Sequence, residues 1–108
     1  MTISTHVLDA AHGTPAAGMT LRLERLDGSV VGNGTTNADG RCPELTEGLA
    51  LESGGYRMCF ETGDWFARTG TLTFYPVVEL IFEVTDPAAH HHVPLLLSPF
   101  AYSTYRGS

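Results

Sequence analysis

The sequence predicts an all-β sandwich with one short helix. Three observations carry that reading. Apolar residues alternate with polar ones in several short segments, glycine-containing turn pairs separate those segments, and no strand–helix–strand alternation runs along the chain. The 108 residues suit one domain, spanning 1–108.

The elements follow in order. STHVLDA, which holds His6, reads as the first strand, and AAHGTPAAG after it as a Gly/Pro loop carrying His12. MTLRLERLD (19–27) places Met19, Leu21, Leu23 and Arg25 on one side and Thr20, Arg22, Glu24 and Leu26 on the other. Asp27-Gly28 is a favoured hairpin pair, and SVVGNGTT follows as its return strand. Asn33-Gly34 and Asp39-Gly40 mark further turns or bulges. In GYRMCFET (55–62), Tyr56, Met58 and Phe60 alternate with Arg57, Cys59 and Glu61. GDWFARTG (63–70) predicts a helix of about two turns, with Asp64 at its N-cap and a glycine at its end. TLTFYPVVELIFEVTD (71–86) is the longest β run, and Pro76 restricts the regular strand to Val77–Thr85. HHVPLLLSP and AYSTY supply the last two strands.

Composition removes several function classes. A net charge of −6 opposes nucleic acid as a partner, because phosphate binding needs a basic face. No apolar run approaches the roughly 20 residues needed to cross a bilayer, so no membrane partner is expected. The N-terminus lacks a basic stretch followed by an apolar one, so the expected location is cytoplasmic. Cys42 and Cys59 have neither CxxC nor zinc-ribbon spacing and are expected to behave as small buried hydrophobes.

The residues able to carry chemistry are few. In the triplet His90-His91-His92, strand alternation puts His90 and His92 on one face and His91 on the other. His12 reads as a solvated loop residue, and His6 alone as an ordinary strand histidine. Zinc held by His6, His90 and His92 has no spacing motif behind it, so no metal is expected. Arg41 follows the Asp39-Gly40 turn. It is either a surface arginine or a rigidly held fork suited to a carboxylate, imide or ureide oxygen. GNGTTNADG is glycine-rich, but no helix follows it to hold a phosphate.

Three spaced blocks then agree in order with a known pattern. STHVLDAAHGTPAAGM (4–19), TTNADGR (35–41) and HHHVPLLLSPFAYSTYRGS (90–108) resemble the signatures of the 5-hydroxyisourate hydrolases, the enzymatic branch of the transthyretin-like family. The terminal Tyr105-Arg106-Gly107-Ser108 is what separates those hydrolases from hormone-carrying transthyretins. The resemblance implies a two-sheet sandwich and a homotetramer built as a dimer of dimers. It further implies active sites in channels at the stacking interface and a small purine-derived substrate, with no cofactor. The apolar PLLLSPFAYSTY would then fill an assembly interface.

Carried over by position, the implied site is His6, Arg41, His92 and Ser108, with Tyr105 lining the pocket and binding substrate beside His6 and Arg41. The implied reaction is attack of water on the C6 carbonyl of 5-hydroxyisourate, which opens the N1–C6 bond. The product is 2-oxo-4-hydroxy-4-carboxy-5-ureidoimidazoline. Either histidine has the chemistry of a general base. The reading adopted here puts His92 on the water and His6 on orientation or polarisation. Arg41 suits substrate oxygens or a developing oxyanion. Ser108 brings a free α-carboxylate, of ordinary pKa about 3.5, able to orient a histidine. Two positions depart from the family pattern: His91 replaces the usual tyrosine and Ala101 a frequent glycine. His91 is expected near the interface or surface, where its titration would make assembly pH-sensitive. The alternative function is a carrier of a small aromatic ligand, which would be expected to replace His6, Arg41, His92 and YRGS with apolar or differently charged residues.

Overall fold

The computed structural model describes residues 2–107. Its elements are β1 (Thr2–Asp9), β2 (Thr14–Pro15), β3 (Thr20–Arg25), β4 (Val30–Thr35), β5 (Gly54–Phe60), α1 (Thr62–Ala67), β6 (Val78–Val84), β7 (His90–Ser98) and β8 (Ala101–Thr104). They form two four-stranded sheets ordered β2-β1-β7-β8 and β4-β3-β5-β6. The expected two-sheet sandwich with one short helix is therefore what the chain adopts. Every ladder is antiparallel except β1 with β7, which runs parallel from Thr2↔His90 to Asp9↔Leu97. That pairing brings the first and last sequence signatures into one sheet.

Alternation builds the core. Ile3 and Val7 point inward from β1, Val93, Leu95 and Leu97 from β7, and Leu21 and Leu23 from β3. Tyr56, Met58 and Phe60 complete the layer from β5, with Val78, Leu80 and Val84 from β6. Most buried polar side chains among the described residues are paired; His91 Nδ1 is not. Thr5 Oγ1 donates to the Val93 carbonyl at 2.6 Å, and the Tyr56 hydroxyl donates to the Glu52 carbonyl at 2.7 Å. Cys42 and Cys59 are buried free thiols. Burial, helped by a bond to Glu44, pushes Cys42 up to about 12, and burial takes Cys59 to about 11, so both behave as hydrophobes.

Several expectations need correction. Asn33-Gly34 is neither a turn nor a bulge: it lies inside β4, in regular register with Arg22 and Leu21. A Cβ at Gly32 would strike the Leu45 carbonyl oxygen, and one at Gly34 the Cys42 sulfur, so these glycines let the 42–49 segment lie on the strand. Asp64 sits in the first turn of α1 rather than at its N-cap. Glu61 holds that position without a side-chain cap. The helix is instead pinned by tertiary contacts: Thr62 Oγ1 donates to the Tyr75 carbonyl at 2.6 Å, Trp65 Nε1 donates to the Ala17 carbonyl at 2.8 Å, and Phe66 is buried. The regular strand expected over Val77–Thr85 of the 71–86 run is present as Val78–Val84, one residue shorter at each end. The Pro76 carbonyl accepts from Gly63 N of α1 at 2.8 Å, which ties that stretch to the helix. Finally, much of the apolar terminus fills the chain's own core. β7 is an interior strand, so Leu95 and Leu97 are fully buried, while Leu96, Phe100, Ala101, Tyr102 and Tyr105 remain partly or largely outside.

Candidate active site

The candidate site is the outward face of β1 and β7. Ser4 and His6 alternate with the core residues of β1, and His90 and His92 with those of β7. The parallel register sets Ser4 opposite His92 and His6 opposite Pro94. Ser4 Oγ lies 2.8 Å from His92 Nδ1 and 3.0 Å from His90 Nε2. The two imidazoles stack, with centroids 6.4 Å apart and planes 14° from parallel.

A tight turn delivers Arg41. Asn37 Oδ1 accepts from the backbone N–H of Asp39 (2.9 Å) and of Arg41 (3.0 Å). Asn37 N donates to the Arg41 carbonyl at 2.7 Å. Gly40 takes a φ of 77°, and its carbonyl accepts from Val7 N at 2.8 Å. A side chain there would strike the Val7 carbonyl oxygen, so glycine is required twice over. The result is a bridge pairing Arg41 with His6. Arg41, Ser4, Asn37 and Cys42 line a cavity of about 180 Å³.

The C-terminal segment closes the other side. Its antiparallel register on β7 begins at Ser98↔Ala101 and Leu95↔Thr104 and would next pair Pro94 with Tyr105. Proline has no N–H to give, and its carbonyl already accepts from Thr104 Oγ1 at 2.7 Å. The ladder lapses at Tyr105 and Arg106 and resumes at Gly107, whose N–H donates to the His92 carbonyl at 2.9 Å. A Cβ on Gly107 would run into the His92 ring.

These neighbours tune His92. Its pKa is held below the ordinary histidine value of 6.5, first by burial and then by the positive charges of Arg41, His90 and His6. At neutral pH it is an uncharged base.

The structure thus brings His6, Arg41 and His92 together. Tyr105 joins His92 but not Arg41. It is largely exposed and lines a separate cavity of about 340 Å³ with His91, His92, Leu80, Phe82 and Arg106. Ser108 lies outside the described residues. His91 does not reach the chain's surface: it points inward and is 5% exposed. Among the described residues its Nδ1 meets no hydrogen-bond partner. His12 is a loop residue, held 2.8 Å from Asp9 at the far end of β1. Among the described residues no group of three or more His, Cys, Asp or Glu is arranged to hold a metal. Ser4 escaped the sequence reading. Its only local signal is the i, i+2 spacing to His6, and its link to the histidine triplet depends on the β1–β7 register.

Comparison with known proteins identifies the family and the fold. Residues 3–107 match the profile of the HIUase/Transthyretin family. A 5-hydroxyisourate hydrolase of Mus musculus is 44% identical over 111 residues, covering 98% of this chain and 94% of its own. The structure of Klebsiella pneumoniae 5-hydroxyisourate hydrolase superposes with a TM-score of 0.90 at 42% identity, covering 100% of both chains. Sea bream transthyretin in complex with thyroxine superposes with a TM-score of 0.89 at 31% identity, covering 99% of this chain and 95% of that one. On sequence and fold together, this chain belongs to the HIUase/Transthyretin family.

Proposed function

We propose that this chain hydrolyses 5-hydroxyisourate in urate degradation, with His92 as general base. The observation that carries the reading is the convergence of His6, Arg41 and a pKa-depressed His92 on one outward face. The hydrolase relatives share this fold and over 40% of its residues. Carrier and hydrolase folds superpose almost equally well on the chain, so the side chains decide between them.

In this mechanism His92 takes a proton from water as the oxygen adds to the C6 carbonyl. Arg41 meets the charge that develops on the carbonyl oxygen. His6 orients the substrate or polarises that carbonyl. The proton on His92 then passes to N1 as the N1–C6 bond breaks, which regenerates the base and frees a carboxylic acid that ionises by losing its proton to solvent. Tyr105 would border the substrate from the β7 side. The resemblance also implies a homotetramer. The edge strands of the two sheets are β2, β8, β4 and β6, and light scattering tests the stoichiometry.

The test is the rate at which labelled product forms. Turnover in ¹⁸O-labelled water should give the ring-opened ureidoimidazoline, with one label in its new carboxylate, many times faster than the protein-free solution does. A carrier would give it no faster than the protein-free solution, which would overturn the proposal.

A further inference from the structure

The bond geometry around Ser4 points to a part in the reaction for two residues so far without one. A hydroxyl has one hydrogen to give and lone pairs to receive. Ser4 Oγ stands within hydrogen-bond distance of two ring nitrogens at once, His92 Nδ1 at 2.8 Å and His90 Nε2 at 3.0 Å. It can donate to only one of them, so the protonation of one ring dictates the tautomer of the other.

We propose that Ser4 is a positioning residue whose hydroxyl donates to His90 Nε2 and accepts from His92 Nδ1–H, fixing His92 in the tautomer that leaves Nε2 as the base. This rests on the hydrolytic reading of the same site. The chain of bonds runs His92 Nδ1–H to Ser4 Oγ–H to His90 Nε2. When His92 takes the proton from water it becomes an imidazolium, and its bond to Ser4 becomes charge-assisted and stronger. The gain therefore falls on the transition state rather than the resting enzyme. An aspartate orients the histidine of a hydrolytic triad in the same way. Here a neutral hydroxyl backed by a second imidazole does so.

The test begins without substrate. ¹⁵N NMR of the histidine-labelled wild-type chain at pH 8, with His92 assigned by its absence in His92→Gln, should show Nδ1 protonated and Nε2 bare. Ser4→Ala should lose that preference and about tenfold in kcat with KM nearly unchanged, as for other residues that orient a first-contact histidine. Ser4→Thr, which keeps a hydroxyl, should restore both. A wild-type His92 protonated at Nε2 would overturn the proposal, as would Ser4→Ala with wild-type tautomer and kcat. A wild-type chain that fails to hydrolyse 5-hydroxyisourate would instead overturn the functional reading, while the tautomer measurement still stands.

Discussion

The outward faces of the two sheets handle charge in opposite ways. On β3 and β5 the charges are paired. Arg22 lies 2.6 Å from Glu24 and 3.1 Å from Glu61, and Arg57 lies 3.1 Å from Glu24. Hydrogen bonds from Arg22 and then Arg57 hold the Glu24 carboxyl below its usual range. On β1 and β7, by contrast, His6, His90 and His92 gather beside Arg41, and the charges that reach His92 are all of one sign. Neutralised charge serves stability. A cluster of one sign on a half-buried face does not, and such clusters are characteristic of sites that do chemistry.

Substitutions on the two faces should therefore separate activity from stability. His92→Ala should lower kcat by about a thousandfold, the scale of removing a general base, with little change in Tm. Steady-state kinetics and calorimetry check both halves. Arg41→Met should cost about a hundredfold in kcat/KM. It should also move the acid limb of the pH–rate profile upward, because Arg41 is the largest charge depressing His92. Gly107→Ala should cost about tenfold, the scale expected of a residue that orients another, since its Cβ would push the His92 ring aside while the fold stays intact. Glu24→Gln should do the reverse: turnover unchanged, Tm lower by a few degrees.

The pH dependences also differ between the faces. The folded-state pKa of Glu24 is lowered, so its contribution to stability is present above the ordinary value of 4.5 and is lost as pH falls through the folded value. The folded-state pKa of His92 is also lowered, so its neutral form persists below 6.5. The acid limb of turnover should therefore have its midpoint below pH 6.5, and a pH–rate profile of kcat/KM checks this.

What the sequence disclosed follows the range of the interactions involved. Alternation in MTLRLERLD and GYRMCFET located β3 and β5 and their inward residues, because period two is a local property. The three signatures named His6, Arg41 and His92, which the fold brings to one face. Ser4 was hidden because its role depends on a parallel pairing between the two ends of the chain. Asn33-Gly34 misled because its glycine answers to an overlying loop rather than to a turn. Asp64 misled because tertiary contacts of Thr62, Trp65 and Phe66, not capping, set where α1 begins. The terminal leucines read as interface because alternation alone does not say which face of β7 meets the chain's own core.

The ultraviolet decay of freshly generated 5-hydroxyisourate, followed with and without the protein, bears on the whole of this reading. Decay should be many times faster than the spontaneous rate with the wild-type chain and with Glu24→Gln, and close to spontaneous with His92→Ala. Decay at the spontaneous rate with the wild-type chain, or equal acceleration by His92→Ala, would contradict it.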